Sequence, residues 1–255
     1  MLLAIDVGNT NIVYGLFDGE RLVHKFRVES ARGRTADEYA VALRSLLDMH
    51  DIDPGSVDAA IIACVVPSLT EPMVRLVRSA FGRDALLVGP GIRSGMAILI
   101  ENPREVGADR IADAVAGFDR ARGGVVVVDF GTSTNFDVVT PKGEYLGGVL
   151  APGLQISADA LFTRAAKLPR VEIVKPPRVV GKNTVHAMQS GIVYGYVGLV
   201  DGIVERILGE LGFPCAVIAT GGLATLVAPL SRTIQEVDDH LTLTGLRILY
   251  DRNRV

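Results

Sequence analysis

Along the chain, short apolar runs alternate with longer stretches whose apolar positions recur every three or four residues, which predicts strands interleaved with amphipathic helices. Leu2 to Ile5 and Ile12 to Phe17 flank one glycine turn, and Val125 to Val128 and Phe136 to Val139 flank another. Two strand-turn-strand units are therefore expected, about half a chain apart. Each ends on the same dipeptide, Gly19-Glu20 and Gly143-Glu144. After the first, Thr35-Ala36-Asp37-Glu38 has the form of a capping box and predicts a helix through Met49, with Tyr39, Leu43, Leu46 and Leu47 on its apolar face. Ala59 to Val66 reads as a buried strand ending at Pro67-Ser68, Glu71 to Phe81 as a helix, and Ala85 to Val88 as a strand before the Gly89-Pro90-Gly91 break. A helix over Glu105 to Ala121 comes next, and Gly123-Gly124 marks the expected boundary between a lobe of residues 1–122 and a lobe of residues 123–255.

The second half repeats this logic with Tyr145 to Leu150 as a strand, Leu154 to Ala166 as a helix and Pro176-Pro177 as a stiff connector. His186 to Leu211 reads as a long helix carrying Gly191, Gly195, Gly198 and Gly202. An interior glycine costs about 1 kcal/mol relative to alanine, so the spacing predicts a tight helix-helix contact, between subunits in preference to a bend within one. Asp201, Glu205 and Arg206 interrupt its apolar character, and a membrane span is not expected. Val217 to Thr220 forms a last apolar run, ending in Gly221-Gly222 before a helix from Leu223.

Composition narrows the functional classes. With 255 residues, 49% of them hydrophobic, the chain has material for two cores. Its net charge of −3 and scattered cations give no basic stripe, so a nucleic-acid partner is not expected. The opening Met1 to Asp6 has no basic region, and Asp6 breaks its apolar run, which argues against a signal peptide and for a cytoplasmic protein. Cys64 and Cys215 lie far apart and read as buried packing residues, while His24, His50, His186 and His240 show no metal-ligand spacing.

Chemistry concentrates in the two glycine turns, Asp6-Val7-Gly8-Asn9-Thr10 and Asp129-Phe130-Gly131-Thr132-Ser133-Thr134. In such a turn backbone N–H groups can approach a phosphate, hydroxyls add hydrogen bonds, and the aspartate holds a cation or its water shell. Two copies predict a nucleotide clamp, with Gly221 and Gly222 as the adenosine contact. No G-x-x-x-x-G-K-[ST] occurs, and no G-x-G-x-x-G follows a strand. A further acid lies in Glu101-Asn102-Pro103-Arg104-Glu105-Val106-Gly107-Ala108-Asp109-Arg110-Ile111. Pro103 fits the first turn of a helix, Gly107 and Ala108 leave the backbone open, Asp109 can take a hydroxyl proton, and Arg110 can fix an acidic group. At this point an Asp109–Asp113 solvent face, or an ion pair of Asp109 with Arg110, explains the segment as well.

Together these segments, with Gly147-Gly148, Pro152-Gly153, Gly181-Lys182-Asn183-Thr184, Thr220-Gly221-Gly222 and the tail Asp239 to Leu246, resemble the type III pantothenate kinases of the acetate and sugar kinase, Hsp70 and actin superfamily. The Gly107-Ala108-Asp109-Arg110 and Gly181-x-Asn183-Thr184 segments discriminate that family from others sharing the turns. The resemblance implies an α/β fold of two ribonuclease H-like lobes, with mixed sheets flanked by helices and ATP in the cleft between them. It implies ATP on Asp6, Val7, Gly8, Asn9, Thr10, Asn11, Thr132, Gly221 and Gly222, magnesium near Asp6, and potassium or ammonium at Asp129. Gly107, Ala108, Asp109 and Arg110 would line the pantothenate pocket, with Asp109 as general base, and Thr184 would reach substrate across a homodimer interface. The implied reaction is ATP-dependent phosphorylation of pantothenate to 4′-phosphopantothenate, the first step of coenzyme A biosynthesis. Ile100 stands where many members have an aromatic residue, which keeps a kinase for another small hydroxy acid in play. A non-catalytic nucleotide-binding regulator is the reading from a different class.

Overall fold

The computed structural model describes residues 1–254 and divides into two units. The first comprises residues 1–96, 101–116 and the stretch from Leu241 on, and the second comprises residues 97–100 and 117–240.

In the first unit β1 (Leu2–Val7), β2 (Asn11–Asp18) and β3 (Arg21–Glu29) form an antiparallel meander. Strand β4 (Ala59–Cys64) lies parallel to β1, and β5 (Ala85–Leu87) parallel to β4, giving the order β3-β2-β1-β4-β5. The alternation along β1 decides its packing, because successive side chains leave a strand on opposite faces. Leu3, Ile5 and Val7 join Tyr39, Leu43 and Leu47 of α1 (Ala36–Met49) and Leu69, Met73 and Leu76 of α2 (Pro67–Phe81). Leu2 and Ala4 join Ile111, Ala112 and Val115 of α3 (Ala108–Ala121) on the other face. The expected capping box is formed: Glu38 donates its N–H to Thr35 Oγ1 (3.3 Å), and Thr35 donates its own to Glu38 Oε2 (2.7 Å).

The second unit repeats the connectivity. After the short β6 (Ala97–Ile98), strands β7 (Gly124–Phe130), β8 (Ser133–Val139) and β9 (Glu144–Pro152) form the meander. Strands β10 (Cys215–Thr220) and β11 (Glu236–Val237) extend it in parallel beyond β7, giving β11-β10-β7-β8-β9-β6. Helices α4 (Leu154–Arg164), α5 (Thr184–Glu210) and α6 (Ala224–Val227) accompany the sheet. Tyr196, Val197, Val200 and Val204 of α5 share a core with Val126, Val128, Phe136 and Val217. The expected α/β class, two mixed sheets flanked by helices, is the one observed.

Helix α7 (Leu241–Asn253) returns to the first unit, where Leu243, Leu246 and Leu249 pack with Ile111 and Ala112. The division thus falls inside α3, between residues 116 and 117, and the C-terminal helix joins the N-terminal sheet, whereas a boundary at 122/123 would assign all later residues to the second lobe. Other boundaries also shift. Helix α2 starts at Pro67 instead of Glu71, since proline's missing N–H is harmless in a first turn. Pro103 opens a 3-10 turn, Pro103–Glu105, and α3 begins only at Ala108. Helix α5 begins at Thr184, two residues before the expected His186, because Asn183 accepts the N–H of His186 (2.8 Å) and caps it. Both cysteines are free and half-buried rather than fully buried. No helix among the described residues is long and apolar enough to cross a membrane.

Candidate active site

Asp6 sits half-buried near the end of β1, in register with Val13 and Ala63, and buried Val7 follows it. The chain then turns through Gly8, Asn9 and Thr10 to Asn11, closed by the N–H of Gly8 donating to the Asn11 carbonyl (3.0 Å). Asn9 and Thr10 are exposed at its tip. Hence Asp6 is fixed by strand pairing while the turn presents its polar groups outward.

The Gly107–Arg110 segment is built around one carboxylate. Asp109 lies in the first turn of α3, where its Oδ1 accepts the N–H of Arg110 at 2.7 Å. Burial pushes its carboxyl above the ordinary value, opposed by that N–H and by the Arg110 charge. Gly107 supplies the room, for a Cβ there would sit 2.5 Å from Asp109 Oδ1 and 3.5 Å from Val65 Cγ1. Asp113 is only 1% exposed, which rules out an Asp109–Asp113 solvent face. Val65 also joins this segment to the first turn, since its N–H donates to the Val7 carbonyl (3.1 Å). Asp6, the turn and Asp109 are thus brought into one neighbourhood of the first unit, with Val65 as a contact that sequence reasoning missed. An ordinary valine after a strand carries no signal for that role.

In the second unit Asp129 is half-buried near the end of β7, opposite Asn135 on β8 and Thr220 on β10. Gly221 follows Thr220 with φ +90°, and a Cβ there would lie 2.5 Å from Asp129 Oδ1 and 2.7 Å from Phe130 N. Only glycine lets that backbone reach the carboxylate. Thr132 is exposed in the turn, and its carbonyl accepts the N–H of Gly153 (3.1 Å). Asp129, Thr132, Gly221 and Gly222 therefore gather where β7 and β10 end. Thr184 is the exposed first residue of α5. It borders a groove of about 810 Å³ between α4 and α5, lined also by Leu154, Leu161, Gly191, Gly195 and Leu199.

The acids suit a metal that arrives with a ligand. Among the described residues no three His, Cys, Asp or Glu side chains cluster to hold an ion. Magnesium carried by a polyphosphate needs no such cage, because phosphate oxygens and water fill most of its shell beside one or two carboxylates. Half-buried Asp6, next to an exposed polar turn, has the chemistry for that place.

A family model described as Type III pantothenate kinase matches residues 2–206. The chain belongs to the type III pantothenate kinase family. The type III pantothenate kinase of Myxococcus xanthus (strain DK1622) is 56% identical over 99% of both chains, and that of Anaeromyxobacter sp. (strain Fw109-5) is 57% identical over 100% of both. Among solved structures, one described as a Baf family transcriptional activator from Campylobacter jejuni is similar with TM-score 0.62, at 18% identity and 98% coverage of both chains. Another, described as an N-acetylglucosamine kinase from Porphyromonas gingivalis, is similar with TM-score 0.51, at 14% identity and 100% coverage of both. These likenesses, at 18% and 14% identity, show the shared fold alone. Membership of the family makes the protein an enzyme of the kinase class.

Proposed function

We propose that this kinase transfers the γ-phosphoryl group of ATP to the primary hydroxyl of pantothenate, giving 4′-phosphopantothenate and ADP in the first step of coenzyme A biosynthesis, in the cytoplasm. The observation that carries this reading is the identity of 56–57% to named pantothenate kinases along the whole chain. In the first unit, the turn from Asp6 to Asn11 holds phosphate oxygens on backbone N–H groups and on Asn9 and Thr10. Gly107 to Arg110 bind pantothenate, with the Arg110 guanidinium on its carboxylate. Asp109 takes the hydroxyl proton as the oxygen attacks the γ-phosphorus and the bond to the β,γ-bridging oxygen breaks. A carboxyl raised by burial is a stronger proton acceptor than an exposed one, and the Arg110 N–H fixes the oxygen it is bonded to. Magnesium, when bound, neutralises charge on the phosphates, with Asp6 as its protein ligand. In the second unit, Asp129 serves a monovalent cation, Thr132 a phosphate, and Gly221-Gly222 the adenosine.

The protein works as a homodimer in which Thr184 reaches the partner's substrate. Gly191, Gly195 and Gly198 support this, since a Cβ on any of them would meet nothing within 4 Å in this chain. The close contact expected from interior glycines is therefore not made within one chain, and the apolar groove beside them suits a second copy.

The test is ADP release from ATP and magnesium, with and without pantothenate, in potassium and then in sodium. Pantothenate-dependent release enhanced by potassium is expected. Release without pantothenate would replace the reading with an ATPase or another acceptor, and ATP binding without any release would favour a regulator.

A further inference from the structure

The segment joining β3 to α1 is fastened to the first turn. Ser30 donates its N–H to the Thr10 carbonyl (3.0 Å) and its hydroxyl to the Gly8 carbonyl (2.6 Å). One residue on, buried Tyr39 grips Ala31 twice, its hydroxyl accepting the Ala31 N–H (2.8 Å) and donating to the Ala31 carbonyl (2.9 Å). The Thr35 capping box closes the far end. Between these fixed points Arg32 extends to the turn, its Nη2 donating to Asn9 Oδ1 at 3.3 Å. Arg32, Asn9 and Thr10 are all exposed, so the guanidinium stands at the accessible tip of the turn.

A guanidinium has five N–H donors in a planar fork, and the bond to Asn9 uses one of them. Phosphate oxygens match that fork bidentately. Residues 6–13, Asp-Val-Gly-Asn-Thr-Asn-Ile-Val, include no lysine or arginine, so the turn's own donors to a triphosphate are neutral. The segment has one other arginine, Arg34, whose guanidinium lies over the Tyr39 ring, 5.9 Å from its centroid. Arg32 is thus the cation that this segment delivers to the turn. An exposed arginine normally loses side-chain entropy on binding and gains little from a single contact, but here the preceding backbone is already immobilised.

We propose that Arg32 is a nucleotide-binding residue of this kinase, pairing with the terminal phosphates of ATP, and that Ser30 and Tyr39 are positioning residues that hold it there. This rests on the reading of the Asp6–Asn11 turn as the phosphate site. The experiment measures binding of ATP and of adenosine by calorimetry, together with steady-state kinetics, for wild type, Arg32→Gln, Arg32→Lys, Ser30→Ala and Asp6→Asn. Charge-assisted hydrogen bonds of ordinary strength set the expected effect of Arg32→Gln at about tenfold to a hundredfold in the Kd and KM of ATP. The KM of pantothenate and the Kd of adenosine should stay within twofold of wild type. Arg32→Lys should recover part of the loss, as a point charge without the fork. Ser30→Ala should weaken ATP in the same sense at unchanged Tm, which a merely structural serine would not do. If Asp6→Asn weakens ATP while Arg32→Gln leaves it within twofold, the Arg32 assignment falls and the phosphate site stands. If neither variant changes ATP binding, the site reading falls and takes this proposal with it.

Discussion

Replacing Gly107 with alanine tests the assignment of Asp109 through space alone. The new methyl group would stand 2.5 Å from Asp109 Oδ1, about 0.9 Å inside the 3.4 Å at which ordinary contact begins. Val65 Cγ1 lies 3.5 Å from the same position, so the methyl group would already be in contact with a second side chain. Asp109 must therefore swing away by about 1 Å, and in doing so it strains or breaks its 2.7 Å bond from the Arg110 N–H. A displacement of about 1 Å at a reacting group can lower a rate by about 10²-fold. Gly107 lacks the left-handed backbone that would itself forbid alanine, so the cost should fall on the carboxylate and not on folding. The assay is pantothenate-dependent ADP release alongside thermal melting. The expected result is a kcat down about a hundredfold, an ATP KM within twofold, and a Tm within about two degrees of wild type, a shift of under 1 kcal/mol. A kcat within threefold of wild type would refute the reasoning, because Asp109 would then be tolerant of displacement and not the positioned base.

Asp109→Asn should lower turnover by about 10²–10⁴-fold with ATP binding retained. It should also raise the Tm at pH 8, because burial lifts the Asp109 carboxyl in the folded state, so its ionised form is a cost that is absent below the ordinary value and complete above the raised one. Melting from pH 8 down to pH 4 should show that advantage shrinking. Asp201, on α5, behaves oppositely: burial pushes its carboxyl up, but bonds from Ser231 Oγ (2.6 Å), the Arg232 N–H (3.1 Å) and Thr233 Oγ1 (2.9 Å) outweigh this and hold it below the ordinary value. Asp201→Ala should cost about 3 kcal/mol in urea denaturation at pH 7. The part of that difference that depends on ionisation should fade as the pH drops below about 4, through the depressed folded value, while the part due to the unpaired donors of Ser231, Arg232 and Thr233 should remain. Gly195→Glu meets open space within one chain and should gain about 1 kcal/mol of helix propensity, yet it should turn a dimer into a monomer by light scattering. A monomeric wild type would overturn the dimer reading outright.

The features legible in the sequence are those whose physics is local. The capping box at Thr35 and the Asp-x-Gly turns each bring their partners within a few residues, so residue types alone predict the geometry. Strand β3, Arg-Leu-Val-His-Lys-Phe-Arg-Val-Glu, is not legible because it is a half-exposed edge whose charges hide the alternation. That gap conceals much more than one strand. Its register sets Glu29 opposite Asn11 and so brings Ser30, and then Arg32, back to a turn some twenty residues earlier. Tyr39 can be assigned to an apolar helix face, but the two bonds its hydroxyl makes to Ala31 depend on that same strand. Helix α7 is hidden for a related reason: it belongs with residues at the other end of the chain, and only the core that Leu243 and Leu246 share with Leu2 and Ala4 reveals this.

The duplication seen in the sequence reaches down to single hydrogen bonds, and there the two copies part. In the first unit the residue after the third strand, Ser30, donates its N–H to the carbonyl of Thr10 in the turn. In the second the residue after the third strand, Gly153, donates its N–H to the carbonyl of Thr132. The same backbone contact thus ties each turn to the end of its meander. Beyond that contact the two copies diverge: residues 31–35 intervene before α1 begins at Ala36, whereas α4 begins at Leu154, directly after Gly153. The serine adds a hydroxyl bond to Gly8, and the intervening residues carry Arg32 to Asn9, so the first turn acquires a cation from a segment that has no counterpart between Gly153 and α4. In the second copy the glycine instead lets the helix start against the turn itself, since a Cβ at 153 would strike the Thr132 carbonyl. One contact is kept in both copies, and the length of chain behind it decides which turn gains an arginine beside it.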